Sequence, residues 1–167
     1  MAVTTQESDQ YASIFTTKPA ALVSTAVWHG RVRGAFFTHT QSGAGDATSS
    51  VALVKLPPGS VRLILPGSFM YVNWTTASAT IDLGWDAYTN LSGTAVAADP
   101  NGLLDGLSVE SADVIGFEEL TTLAGLAADG YTKLFESKDG VVIRATCQDV
   151  ALADTDSLGG MFFYMQD

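Results

Sequence analysis

One cysteine in 167 residues, Cys147, rules out an internal disulfide and any zinc site built from paired cysteines. Histidine is almost as scarce, with only His29 and His39 present. Charged residues make up 16% of the chain, well under the usual quarter, and lysine-rich amphipathic segments are missing, which argues against a helical bundle. No apolar run approaches the roughly 20 residues that would span a bilayer. The start, MAVTTQESDQYASIF, lacks the basic and then apolar pattern of an export signal. The expected setting is a reducing cytoplasm, away from membranes. Basic residues are also few: 8 against 18 acidic ones give a net charge of −10, which excludes a nucleic-acid binder that works by neutralising phosphates.

What the chain does have is apolar bulk. At 47% hydrophobic residues it can bury one self-sufficient core, so one domain is expected. The charge is unevenly spread. Residues 1–81 carry five basic and three acidic side chains, and residues 82–167 carry three basic and fifteen acidic. That asymmetry suits either a soluble protein with acidic loops or a two-faced adaptor.

Residues 1–20 are polar and weakly patterned, with Tyr11, Ile14 and Phe15 as their large apolar groups, and read as an N-terminal arm. From residue 21 onward apolar runs have period two, which marks strands. In RVRGAFFTH, Arg31, Arg33, Ala35, Phe37 and His39 share one face. SVALVKL and SVRLIL flank PPG, predicting a hairpin through a type II turn at Pro58 and Gly59. Pro66 and Gly67 then separate SVRLIL from SFMYVNWT. ATIDLGW sets Ile81, Leu83 and Trp85 against Asp82 on a polar face. YTKLFESKDGVVIRATC predicts a second hairpin, with Gly140 at positive φ and Phe135 opposite Ile143, and makes Cys147 a core residue. GMFFYMQ reads as a closing strand, and FEELTTLAGLAAD, residues 117–129, as one short helix. Eight or nine short strands with turns about every ten residues predict an all-β fold, a jelly-roll-like β-sandwich over residues 21–167.

Chemistry is hard to place on this frame. There is no G-x-S-x-G elbow, and His29 and His39 read as surface groups. GAG at 43–45 lacks the lysine or helix that a phosphate cradle needs. The acidic stretch 82–113 is the strongest candidate for a calcium site, through Asp99, Asn101 and Asp105. Counted as an EF-hand from Asp99, however, Leu104 falls where the sharp turn demands glycine. Asp99 and Asp105 precede turn formers, in DPNG and DG, so their expected work is to accept backbone hydrogen bonds in a connection over 86–106. No metal, no cofactor and no catalytic residue is expected.

The progression from VALVKLPPGSVRLILPGSFMYV through ATIDLGWDAYTNLSGTAVAADPNGLLDGLSVESA to KLFESKDGVVIRATC resembles small structural proteins of tailed bacteriophages encoded near the major capsid gene. The resemblance covers roughly residues 50–147. It implies a head decoration, or cement, protein on the outer surface of the virion's capsid, made in the host bacterial cytoplasm and bridging capsomers. Its partners would be the major capsid protein and further copies of itself, as a homotrimer. On that reading Tyr11, Ile14 and Phe15 would anchor the arm, and Arg31 and Arg33 would meet acidic capsid groups. A different class, a tail or fibre module binding glycans, would instead stack sugars on Trp74, Trp85 and Tyr88.

Overall fold

The computed structural model describes residues 31–43, 45–73, 77–110, 113–116, 132–149 and 153–166. The N-terminal arm and the helix expected at 117–129 lie outside the described residues. Among those described, every regular element is a strand. In chain order they are β1 (Val32–Thr40), β2 (Ser50–Leu56), β3 (Gly59–Asn73), β4 (Thr80–Trp85), β5 (Tyr88–Thr89), β6 (Ala95–Val96), β7 (Asp99–Ser108), β8 (Asp113–Gly116), β9 (Thr132–Ser137), β10 (Val141–Cys147) and β11 (Ser157–Gln166).

Two antiparallel sheets form a sandwich. The first, the front sheet, has the order β1-β11-β3, with β8 and β9 sharing the far side of β3. The second, the rear sheet, has the order β2-β10-β4-β7. The pairs β1·β11, β2·β10, β3·β9 and β4·β7 are nested, first strand with last and inward to the middle. The chain is therefore one long antiparallel hairpin, wrapped so that β11 also meets β3 and β10 also meets β4. That is the jelly roll, which shares its strands between two sheets.

Both hairpins expected from sequence are replaced by crossings between the sheets. Strand β2 pairs in the rear sheet and β3 in the front sheet, while β9 pairs in front and β10 behind. Pro57 and Pro58 have no N–H to continue a ladder, so the chain leaves the rear sheet there. Gly59 and Gly140 do take positive φ, 106° and 86°, as the turn chemistry demands. Phe135 and Ile143 do not pair; they belong to different sheets and share the core.

Pro66 and Gly67 do not end a strand either. They lie in a bulge of β3, where the register against β11 jumps from Phe69↔Met161 to Ile64↔Phe163. Ser68 repairs the ladder across the bulge: its hydroxyl donates to the Ile64 carbonyl and accepts the Phe163 N–H at 2.9 Å.

Alternation fills the space between the sheets. Val61, Leu63, Met70 and Val72 face inward from the front sheet, and Ile81, Leu83, Val141 and Ile143 from the rear. Phe162 stacks on Phe37 at 5.0 Å, and Trp85 meets Phe135 edge-on at 5.3 Å. Cys147 is buried, a core residue as its strand face requires. Full burial of each such Leu, Ile or Phe contributes about 1.5–3 kcal/mol.

The two crossings pass very close to one another. A Cβ on Gly140 would lie 2.3 Å from the Leu56 carbonyl oxygen. Gly140→Ala should therefore combine left-handed strain with a backbone collision and cost about 3 kcal/mol. Gly106→Ala, at a similar positive φ of 61° but in open space, should cost only about 1 kcal/mol. Urea midpoints of the two variants provide the measurement; equal losses would mean that the close approach imposes no constraint.

Candidate functional site

Since the core occupies the inward faces, whatever the chain does must be done by its outer faces and edges. The rear sheet's outer face is a polar network. Arg144 on β10 makes a two-pronged pair with Asp86, Nε to Oδ1 at 2.6 Å and the second prong to Oδ2 at 2.7 Å, and also donates to the Ser50 hydroxyl at 3.1 Å. Beside it Asp82 is buried rather than exposed on a polar face, because β7 covers it. It accepts the Gly106 N–H at 2.7 Å and the Gln148 amide. Thr80 donates to Asp149 at 2.6 Å.

The acidic stretch 82–113 is thus dispersed by the fold. Asp82 and Asp86 serve β4 and its continuation, and Glu110 accepts the Ser78 N–H at 2.9 Å. Asp99 and Asp105 are not turn residues: DPNGLLDGLS is strand β7, whose pairing with β4 is interrupted by register shifts. An edge strand with irregular pairing tolerates proline and glycine that a central strand would not. Among the described residues no three His, Cys, Asp or Glu side chains come together as a metal site.

The expected long connection is also ordered by strands. β5 and β6 make a small hairpin whose loop is tied by Asn90, whose side chain accepts from the Thr94 N–H at 2.8 Å and the Ser92 hydroxyl at 2.7 Å. The hairpin sits against the β9–β10 crossing, where the Lys138 N–H donates to the Thr89 carbonyl at 3.0 Å.

The aromatic residues proposed to stack on sugars are used internally. Trp85 is buried, with Lys133 Nζ 4.6 Å above its ring. The indole reaches its place because Gly102 has no side chain; a Cβ there would lie 2.3 Å from the ring. Tyr88 is half-buried against Phe135, and burial, with the charge of Glu136 second, pushes its phenol above the ordinary value. Trp74 lies outside the described residues.

Of the expected contact residues, Tyr11, Ile14 and Phe15 lie outside the described residues. Arg31 is exposed just before β1, and Arg33 is exposed on it. Arg33 has the inward parity of Phe37 and lies opposite Tyr164, yet is exposed near the entry of the edge strand β1.

The front sheet's outer face has the opposite character. Phe36, Met161 and Phe69 are direct cross-strand neighbours on β1, β11 and β3. Phe36 is 78% exposed, and Val32, Tyr71 and Leu134 extend the apolar surface along and across the strands. The sequence signal for this face was available: the doublets and triplets FF, FMY and MFFYM are apolar on both parities, whereas a strand facing water on one side alternates.

Comparison with known proteins adds a likeness of fold. No family model matches the chain, and no curated protein does. Over 92% of its length the chain is similar to a chain of the cyanophage Pam1 capsid asymmetric unit, with a TM-score of 0.53 and 12% identity, covering 99% of that chain. It is also similar, over 81% of its length, to a chain of infectious bursal disease virus strain Gx (TM-score 0.48, 9% identity) and to VP2 of that virus's subviral particle (TM-score 0.46, 10% identity). The chain spans about a third of the length of those two. The likeness is one of architecture.

The Asp86–Arg144 pair carries a pH signature. Hydrogen bonds from Arg144 chiefly, opposed by burial and aided by its charge, hold the Asp86 carboxyl below its ordinary value of 3.8. The stabilisation it supplies is complete above that value and is lost as pH falls through the lowered one. Both side chains are about one-third exposed, so the pair contributes up to about 1 kcal/mol. Asp86→Asn should lower stability by that amount near neutrality and flatten the acid limb below pH 4. Thermal midpoints of both proteins between neutrality and pH 3 test this; parallel curves would remove the pair from the acid response.

Proposed function

We propose that the chain is a non-enzymatic structural protein of a virion, and specifically a decoration protein that binds the outside of a phage head and bridges capsomers. The observation that carries this reading is the match of the jelly roll, nearly end to end on both sides, to a chain of a cyanophage capsid asymmetric unit. Two further features support it. The acidic side chains are spent on local hydrogen bonds or scattered along strands, and the described residues bring no metal-ligating cluster together. Phage-like sequence features over roughly residues 50–147 point the same way.

In this reading the partner is the major capsid protein, and the decorating unit is a homotrimer. Arg31 and Arg33, exposed at the entry to β1, meet acidic groups of the shell, and Tyr11, Ile14 and Phe15 anchor the arm. A glycan-binding tail module is less well supported, since Trp85 is buried in the core and Tyr88 is packed against Phe135.

Purified phage heads lacking the protein provide the test. The full chain should bind them and raise the temperature or osmotic shock at which they break. Deleting residues 1–15, or making Arg31→Glu with Arg33→Glu, should lower occupancy at least tenfold while the β body still melts cooperatively. Binding to host cells but not to heads would overturn the assignment in favour of the tail module.

A further inference from the structure

We infer that the outer face of the front sheet is the surface through which copies of this chain meet one another. This deepens the multimeric part of the proposed function by naming the face that makes the contact. The first ground is area. Val32, Phe36, Phe69, Tyr71 and Leu134 are 58%, 78%, 37%, 42% and 38% exposed, which leaves on the order of 500 Å² of apolar side chain in water, at the upper end of what a monomeric protein shows. Met161, Phe163 and Met165, half-buried among them on β11, make the surface continuous. One partner in a stable interface contributes about 800 Å², so this face supplies most of an apolar interface centre by itself.

The second ground is charge, and it selects the occupant. Each copy carries −10, so most ways of bringing two copies together set carboxylates against carboxylates, which costs several kcal/mol at close range. On the front outer face the charged side chains among the described residues are Arg62 on β3 and Glu136 on β9, one of each sign. The rear face and the loops carry Asp82, Asp105, Glu110, Asp139 and Asp149, and Asp86 paired with Arg144, against Lys55 and Lys138. The front outer face is thus near neutral, while elsewhere the described acidic side chains outnumber the basic ones, so two copies can approach there with little repulsion while burial removes apolar surface from water.

Sedimentation velocity of the full chain, from sub-micromolar concentration upward, provides the test. The wild type should be a multimer that persists or tightens in high salt, because screening weakens the repulsion between acidic copies and leaves the apolar contact intact. Phe36→Glu and, separately, Leu134→Glu should each raise the dissociation constant at least tenfold with far-ultraviolet circular dichroism unchanged. Leu134→Glu decides the matter if Phe36→Glu fails to fold. Ala52→Glu, at an exposed position on the outer face of the rear sheet, should leave the multimer as it is. A wild type that stays monomeric, or folded Phe36→Glu and Leu134→Glu variants that stay multimeric, would overturn the inference. A multimer that ignores purified heads would end the decoration reading and leave this face standing; a monomer that decorates heads would do the reverse.

Discussion

Two segments cross between the sheets side by side, and the register of the whole sandwich depends on how closely they pass. Leu56 leads out of the rear sheet opposite Val141, and Gly59 enters the front sheet opposite Ser137. The Leu56 carbonyl sits where a side chain on residue 140 would be. A slip of one residue in either crossing would turn every inward side chain of the following strand outward. Because β3 continues along β11 and β8, and β10 continues along β4, that local fit is transmitted to both sheets. The nested pairing makes this fixed point more important than in a meander, since partners far apart in sequence have no tight turn between them to set their register.

With the core fixed, the two outer faces become independent of each other, and their chemistry differs. On the rear sheet the outward polar groups satisfy one another: Asp82 with Gly106 and Gln148, Arg144 with Asp86 and Ser50. Such a surface has little to gain from a partner, because its hydrogen bonds are already made. On the front sheet the outward groups are Phe36, Met161, Phe69 and Tyr71, which gain nothing from water. This difference in polarity is not the charge difference between the two halves of the sequence. It separates the faces of the sandwich rather than the ends of the chain.

Most of the strands were legible, and so were their inward faces. Val61, Leu63 and Leu65, then Ile81, Leu83 and Trp85, then Val141, Ile143, Ala145 and Cys147 are all buried as period-two alternation requires. Pairing was not legible. Sequence neighbours flanking Pro58–Gly59 and Asp139–Gly140 have the turn residues of hairpins, and the same residues also serve a crossing between sheets, since both need a sharp change of direction at positive φ. Only the fold as a whole decides between them. The acidic stretch misled for a related reason: Pro100, Gly102 and Gly106 look like turn formers, yet in β7 they permit an irregular edge strand, and Gly102 makes room for Trp85.

What the described residues offer a partner is set by how their side chains are distributed over the two faces. Among the described residues the fold assigns carboxylates one by one to nearby donors or to separate strands. Assembly needs breadth rather than convergence, and the front face, spanning β1, β11, β3 and β9, provides it. The cost of that breadth is borne by the isolated copy, which exposes Phe36 to water. A net charge of −10 opposes unspecific association of copies, while Arg62 and Glu136 leave the front outer face near neutral. In the proposed assembly, apolar area supplies the attraction, and the near-neutral charge of the front face lets acidic copies approach there.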